Sequence, residues 1–288
     1  MQKNILITGC SSGLGLALVN YYLEKDFIVY GISRKKPDIT NPNFFHKSFD
    51  LSQISKIKDE LSSFIKDISQ IDTVFLNAGM LGKIKILEEL SIQEMQEVYE
   101  LNVYANKELL DILKTIKVKN ILAISSGASL TGYKGWGSYS LSKAGVNMLV
   151  NLYSNEMINT KILAVAPGVI KTPMTDYIRF EIDENIFPSA KKLSEGLVQT
   201  PQETVIKIDN LVNKIDEFKS GSYVDVRVIW YYYIMLIKIF ITILFTFPLF
   251  AKEIKTLTFD GDIDLVIGDF SKTNLEKTCN ITYPAFFK

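Results

Sequence analysis

The sequence has few of the residues that bind metals or form crosslinks. Its 288 residues contain one histidine, His46, and two cysteines, Cys10 and Cys279, and their spacing matches neither a metal site nor a framework of paired cysteines. We therefore predict no metal site and two free thiols in a reducing compartment. An excess of charge is also missing, because 32 basic residues balance 32 acidic ones, which argues against a nucleic-acid partner.

The sequence also lacks room for a secretion signal ahead of its first predicted strand. That strand begins within five residues of Met1, so we expect a cytoplasmic protein. One long apolar run does occur, from residue 228 to 250, with Lys238 as its only charge. As a helix it would be about 35 Å long, enough to cross a bilayer.

Two residues argue that the run 228–250 does not span a membrane. Lys238 lies near its centre and Pro248 near its end. A helix lying on the membrane surface would let the lysine reach the headgroups. The alternative is a helix packed into a subunit interface or over a cleft of the protein. Both a protein peripheral to a membrane and one without membrane contact stay open.

Short β-branched runs alternate with longer helical patterns through the first 226 residues. We predict strands at 4–8, 27–32, 72–76, 119–124, 161–166 and 223–226, and helices at 13–25, 52–67, 91–114 and 138–157. Reciprocal caps, Ser91 with Glu94 and Thr200 with Glu203, support the helix start at 91 and a further helix from Pro201. The alternation predicts an α/β fold with a doubly wound parallel sheet, of the Rossmann type. We expect this domain at 1–226 and an extension at 227–288, comprising the apolar helix 228–250 and a tail.

Two motifs indicate chemistry. Gly9, Gly13 and Gly15 form a turn between the first strand and the first helix, where a dinucleotide pyrophosphate can approach the backbone and the N–H groups of the helix N-terminus. Tyr139 and Lys143 are four residues apart on a predicted helix, so their side chains lie one above the other. We expect the lysine ammonium to lower the pKa of the tyrosine, which would make it a useful proton donor.

With these motifs in order, the sequence resembles the short-chain dehydrogenase/reductase family, in its compact single-domain subgroup, over residues 1 to about 226. The spacing Gly9-x3-Gly13-x-Gly15 differs from that of the extended subgroup that modifies sugar nucleotides. The difference favours simple carbonyl and alcohol chemistry.

The resemblance implies roles for a small set of side chains. Tyr139 would be the proton donor, and Lys143 would also hold the nicotinamide ribose. Ser126, in preference to its neighbour Ser125, would hydrogen-bond the substrate oxygen. Asn102 would hold a water that links the lysine to solvent. The catalytic set is therefore Asn102, Ser126, Tyr139 and Lys143.

The resemblance also implies a cofactor-binding set, drawn from the glycine turn, the strand tips and the active helix. It comprises Gly9, Ser11, Ser12, Gly13, Leu14, Gly15, Ser33, Arg34, Asp50, Leu51, Asn77, Ala78, Gly79, Tyr139, Lys143, Pro167, Gly168, Val169 and Thr172. At the tip of the second strand an acidic residue is absent, and a 2′-phosphate would find a partner in Arg34, assisted by Ser33. This favours NADP(H). NAD(H) stays open, because Ser12 stands where many NADP-using relatives have a basic residue.

We expect the stretch from Pro173 to Leu197 to be a mobile lid over the substrate. Its candidate lining residues are Met174, Tyr177, Ile178, Phe180 and Phe187, and their character favours an apolar substrate. His46 is expected on a surface segment without a catalytic role. The prediction is an NADP(H)-dependent oxidoreductase that interconverts a small-molecule carbonyl and an alcohol, as a homo-oligomer built on helices 91–114 and 138–157.

Two alternatives belong to other functional classes. One is a non-catalytic NADP(H)-binding regulator or scaffold that acts through its apolar tail. The other is a nucleotide-sugar dehydratase or epimerase, which the glycine spacing disfavours.

Overall fold

A parallel β-sheet forms the centre of the computed structural model, which describes residues 2–228. The predictions for residues 229–288, which include nearly all of the apolar run and the tail, lie outside the described residues. Within the described part, seven parallel strands are ordered β3-β2-β1-β4-β5-β6-β7. Their bounds are β1 Asn4–Thr8, β2 Ile28–Ser33, β3 Phe44–Ser48, β4 Gln70–Leu76, β5 Lys117–Ile124, β6 Lys161–Ala166 and β7 Tyr223–Asp225. The predicted doubly wound parallel sheet is confirmed.

Helices cover both faces of this sheet and bury an apolar core on each. Their bounds are α1 Gly13–Glu24, α2 Ile54–Ile65, α3 Ile92–Tyr99, α4 Ala105–Leu113, α5 Gly137–Glu156, α6 Pro173–Phe180, α7 Pro188–Glu195 and α8 Pro201–Asn213. One core packs α2, α4 and α5 against the sheet, and the other packs α1 and α8. Both predicted capping boxes are present, at Ser91 with Glu94 and at Thr200 with Glu203. No helix between residues 2 and 228 is both long and apolar enough to cross a membrane.

The structure differs from the prediction in two places that matter for the site. Strand β3 was not predicted, because it is an edge strand whose sequence Phe-Phe-His-Lys-Ser mixes apolar and polar residues and leaves Phe45 exposed. The predicted helix 91–114 contains a π-helical turn at Glu100–Tyr104, where the N–H of Ala105 donates to the carbonyl of Glu100. Such a turn is common at functional sites and gives no periodic signal in the sequence.

The chain order of the strands positions a crevice. From β1 the chain continues outward to β2 and β3, whereas β4 returns to the other side of β1 and the chain then continues outward to β7. The loops after β1 and β4 therefore diverge at the carboxyl edge of the sheet. Ligands of open parallel sheets bind at this reversal point.

Candidate active site

A cleft of about 680 Å³ opens at the carboxyl edge of the sheet. The loops that follow the six strands from β1 to β6 contribute to its walls. All of the predicted cofactor residues except Gly15 line it, as do Ser126, Tyr139 and Lys143 from the predicted catalytic set. Asn102 does not line it.

The glycine turn has the shape that an anionic group requires. Gly9 and Gly13 have φ of +68° and +53°, which favour glycine. A Cβ on Gly15 would lie 2.1 Å from the carbonyl oxygen of Gly9, so α1 begins in close contact with the turn. Among the described residues, the Ser12 side chain makes no capping hydrogen bond. The first N–H groups of α1 thus face the cleft without a side-chain cap, and a dinucleotide pyrophosphate fits there.

The residues after β4 hold this turn in place. The Asn77 side chain donates to the carbonyl oxygens of Thr8 and Gly9, at 2.9 and 3.3 Å. The Thr8 hydroxyl accepts the backbone N–H groups of Asn77 and Ala78, at 2.9 and 3.0 Å. Asn77 and Ala78 therefore brace the two loops that flank the reversal point.

At the tip of β2, the side chains of Ser33 and Arg34 differ in whether they are free to bind a ligand. The Ser33 hydroxyl donates to the carbonyl of Lys35 at 2.7 Å, and it accepts from Nε2 of His46 at 2.9 Å. Its only proton is therefore directed at that carbonyl, and its predicted help in binding a phosphate stays a prediction. Arg34 is exposed, and its guanidinium has no ion-pair partner among residues 2–228.

His46 lies half-buried in the edge strand β3. Burial, with a smaller contribution from Lys36, lowers its pKa below the ordinary value. Cys10, from the glycine turn, is buried with its Sγ 3.1 Å from the Ser33 hydroxyl, and burial raises the pKa of its thiol. Asp50 accepts the N–H and the hydroxyl of Ser52, at 3.0 and 2.9 Å, so its carboxylate is oriented at the cleft edge.

Tyr139 and Lys143 lie on α5 as predicted, and the lysine is only 4% exposed. Its Nζ donates to the carbonyl of Ile124 at 2.6 Å and lies 5.7 Å from the centroid of the Tyr139 ring. Burial lowers the pKa of Lys143 to about 8. Burial raises the pKa of Tyr139, and a hydrogen bond with Ser126 opposes that increase in part. The net shift is therefore upward and not the decrease that the sequence predicted, and Lys143 is not among its causes.

The hydroxyl groups of the adjacent residues Ser125 and Ser126, after β5, have different hydrogen-bond partners. The Ser125 hydroxyl donates to Oδ1 of Asn147 at 2.5 Å, and the amide of Asn147 donates to Ser129 at 2.8 Å. The Ser126 hydroxyl accepts the N–H of Ala128 at 3.2 Å and contacts Tyr139. Ser126 is thus the one that meets the tyrosine, as the sequence analysis preferred.

Asn102 lies in the π-helical turn and is fully buried. Its Oδ1 accepts the N–H of Met80 at 2.8 Å, and its Nδ2 donates to the Met80 carbonyl and to the Ser142 hydroxyl, each at 2.9 Å. Both amide protons are therefore committed. The side chain links the loop after β4 to α5 beside Lys143, and its predicted role in holding a water stays a prediction.

The loop after β6 leads from the cleft into the predicted lid. Gly168 has a φ of +87°, and Thr172 caps α6 by accepting the N–H of Thr175 at 3.3 Å. A Cβ on Gly13 would lie 3.1 Å from Cγ2 of Thr172, so this loop closes against the glycine turn. The segment predicted to be the lid contains α6 and α7.

The apolar lid residues divide into two groups. Met174 and Ile178 line the cleft as predicted, together with Leu193. Phe180 is 70% exposed beside Arg179, so its predicted lining role is wrong. Tyr177 and Phe187 do not line the cleft either, but pack in the apolar cluster around Leu81, Ile84, Ile178 and Ala190.

Trp136 is a cleft residue that sequence reasoning missed. The available signal was an aromatic residue three positions before Tyr139, directly before the helix. No cluster of three or more His, Cys, Asp or Glu side chains in the described part of the chain could hold a metal ion.

Comparison with known proteins places these features in a family. The sequence model of the short chain dehydrogenase family matches residues 3–182. The chain is 31% identical over 218 residues to an uncharacterized oxidoreductase of Saccharomyces cerevisiae, which covers 70% of this chain and 84% of the relative. It is 31% identical over 239 residues to the benzil reductase ((S)-benzoin forming) of Bacillus subtilis, which covers 77% of this chain and 97% of the relative. A crystal structure of a Saccharomyces cerevisiae short-chain dehydrogenase/reductase matches with a TM-score of 0.69 at 25% identity, over 78% of this chain and 96% of that one.

Proposed function

Because the chain belongs to the short-chain dehydrogenase family, we propose that it is an NADP(H)-dependent oxidoreductase that interconverts a carbonyl and an alcohol. The observation that carries the proposal is that two groups of residues line the same cleft. The glycine turn lies on one side, and Tyr139, Ser126 and Lys143 lie on the other. A binding protein without chemistry would not need a buried tyrosine and lysine beside the dinucleotide site. This observation therefore favours the enzyme over a regulator or scaffold.

The proposed roles follow from the side chains that converge on Tyr139. In reduction the Tyr139 hydroxyl would give its proton to the substrate oxygen, while a bound nicotinamide would supply the hydride for the carbonyl carbon. Its raised pKa makes the tyrosine hydroxyl a weaker acid, so the proton transfer depends on groups that stabilise the phenolate. Ser126 would hydrogen-bond the same oxygen. With a pKa of about 8, Lys143 is mostly charged at pH 7 and would stabilise the phenolate that the transfer leaves.

Arg34 supports NADP(H) over NAD(H). Its guanidinium lines the cleft at the tip of β2 without an ion-pair partner among the described residues. A 2′-phosphate would offer it charge-assisted hydrogen bonds in a forked geometry. Lys35 and Lys36 follow it and are also exposed. NAD(H) has no phosphate at this position and would gain nothing from these cations.

The wall of the cleft beside Tyr139 supports an apolar carbonyl substrate. Leu81, Trp136, Met174, Ile178 and Leu193 form it. The Bacillus subtilis relative is named for the reduction of benzil, a diketone that carries two phenyl rings. We therefore infer that α-diketones and aryl ketones are the first compounds to examine.

The proposal extends to chain organisation. Strand β7 ends at Asp225, which supports a catalytic domain at 1–226 and a separate extension at 227–288. Leu141, Met148 and Leu152 are exposed at helical spacing on α5. This apolar stripe supports the proposed homo-oligomer.

The test measures oxidation of NADPH and of NADH by the purified full chain, with benzil, simple ketones, aldehydes and sugars as substrates. We expect turnover with NADPH that falls at least about 10³-fold in Tyr139→Phe, while the affinity for NADPH, measured by fluorescence titration, does not change. Arg34→Ala should weaken NADPH binding at least about tenfold and leave NADH binding within about twofold. Tight NADPH binding without turnover of any compound would overturn the enzyme and favour the regulator.

A further inference from the structure

Trp136 connects the lid to the helix that carries Tyr139. It occupies the N-cap position of α5, three residues before the tyrosine. Its ring meets the Tyr139 ring edge to face, with centroids 5.9 Å apart, and it lines the cleft. Its indole N–H donates to the hydroxyl of Ser189 at 2.8 Å, and Ser189 lies in the first turn of α7. One side chain thus contacts both the proposed proton donor and the lid.

The segment around Trp136 is packed tightly against the start of α7. Gly135 has a φ of +90°, and a Cβ there would lie 2.6 Å from the ring of Phe187, the residue before α7. The Gly135 carbonyl also accepts the N–H of Lys85 at 3.3 Å. Ser189 is 9% exposed. Because Ser189 is buried and Trp136 is partly buried, loss of either partner removes a hydrogen bond that water replaces only in part.

From these contacts we propose that Trp136 is a positioning and specificity-determining residue, which holds α7 over the cleft through Ser189 and offers the substrate an aromatic wall beside Tyr139. The inference rests on the proposed function and names the substrate class that this site takes. That class is a carbonyl compound with an aromatic ring next to the carbonyl group. Such a ring can stack against the indole while its carbonyl oxygen meets Tyr139 and Ser126.

The indole N–H and the indole ring have separable roles. Trp136→Phe keeps an aromatic ring and removes the donor, whereas Trp136→Leu removes both. Ser189→Ala removes the acceptor and leaves the tryptophan unchanged. Ser194→Ala is the matched control, because Ser194 lies on the same helix and its hydroxyl donates only to the Lys191 carbonyl among the described residues.

The kinetic experiment compares an aryl diketone, 1-phenyl-1,2-propanedione, with an alkyl diketone, 2,3-hexanedione, using NADPH. We expect Trp136→Phe and Ser189→Ala each to raise the KM for the aryl compound about fivefold with kcat within twofold, the size of one lost hydrogen bond. The double variant should be no worse than either single variant, because both remove the same bond. Trp136→Leu should also lower the ratio of aryl to alkyl kcat/KM about tenfold, and Trp136→Phe should preserve that ratio. Effects that multiply in the double variant, or an unchanged ratio in Trp136→Leu, would overturn the inference.

Limited proteolysis tests the connection without any turnover. Lys191 and Lys192 are exposed trypsin sites on α7. Trp136→Phe and Ser189→Ala should be cleaved there about fivefold faster than the wild type, and Ser194→Ala at the wild-type rate. If the wild type reduces neither diketone nor any other compound of the panel above but these cleavage rates appear, the proposed function fails and the lid contact stands. Cleavage at the wild-type rate in all three variants would overturn the lid contact even in an active enzyme.

Discussion

Replacing Lys143 by methionine should make the protein respond differently to pH. The lysine is 4% exposed and its Nζ has a carbonyl oxygen as its hydrogen-bond acceptor, so the fold holds a charged group in poor surroundings. Burial lowers its pKa to about 8 from the ordinary 10.5. Methionine has a similar length and no charge, so it removes the titrating group with little change in packing.

The sign of the effect follows from proton binding. Between pH 8 and pH 10.5 the unfolded chain binds more protons at this lysine than the folded chain does, so the free energy of unfolding rises with pH in this window. Below pH 8 the full cost of burying the charge is present, about 3 kcal/mol at about 1.4 kcal/mol for each tenfold change in proton affinity. At pH 9.5 about 2 kcal/mol of that cost is gone.

The experiment measures urea denaturation of the wild type and Lys143→Met at pH 7 and pH 9.5. The wild type should gain about 2 kcal/mol of stability relative to the variant between the two pH values. The lost hydrogen bond and any repacking change the stability of the variant equally at both pH values, so they cancel in this comparison. The contributions of the other titrating groups are common to both proteins and cancel as well. A difference between the two proteins that stays constant within about 0.5 kcal/mol would refute the reasoning. Turnover by Lys143→Met, measured in parallel, should fall strongly. The ammonium group that destabilises the fold is also the group proposed to stabilise the Tyr139 phenolate.

Four further substitutions test other contacts. Ser126→Ala should lower kcat about 10²-fold. Ser125→Ala should leave kcat within about threefold and lower the melting temperature instead. Equal losses of kcat in the two variants would contradict the roles assigned to these serines. Gly15→Ala should lower the free energy of unfolding in urea by about 3 kcal/mol and abolish NADPH binding. The reason is that the new Cβ would lie 2.1 Å from the backbone carbonyl oxygen of Gly9. A variant as stable as the wild type would show that this close contact is absent. Asp209→Asn should lower the free energy of unfolding by about 2 kcal/mol in the same assay. Asp209 is 8% exposed, and its carboxylate accepts from two tyrosine hydroxyls and from Lys25 at 2.7 Å. A change below about 0.5 kcal/mol, which is typical of an exposed ion pair, would refute this.

Features that depend on residues close together in the sequence were predicted well. The glycine turn from Gly9 to Gly15, the two capping boxes and the pair Tyr139 and Lys143 each obey a local rule of backbone geometry or helical spacing. The parallel sheet followed from the alternation of strands and helices, because few topologies join parallel neighbours. These features carry the family resemblance.

Other features depended on neighbours far away in the sequence. Strand β3 forms because β2 offers it an edge, and its mixed composition gave no strand signal of its own. Asn102 meets Ser142, 40 positions away, only because a π-helical turn rotates it inward. Ser33 was expected to assist a phosphate, yet its proton is taken by a carbonyl two residues on, and His46 approaches it from β3.

The amino-acid sequence alone predicted the family resemblance and the helix that bears Tyr139 and Lys143, because the spacing of these two residues is a property of the helix itself. It did not establish the direction in which the pKa of Tyr139 moves. A charge four residues away predicted a decrease, whereas burial by the surrounding elements produces an increase. The surroundings of the tyrosine, from Ser126 to Trp136 and the lid anchored at Ser189, exist only in the folded chain. Solvation depends on everything packed around a group, so it cannot be read from the residues next to it in the chain.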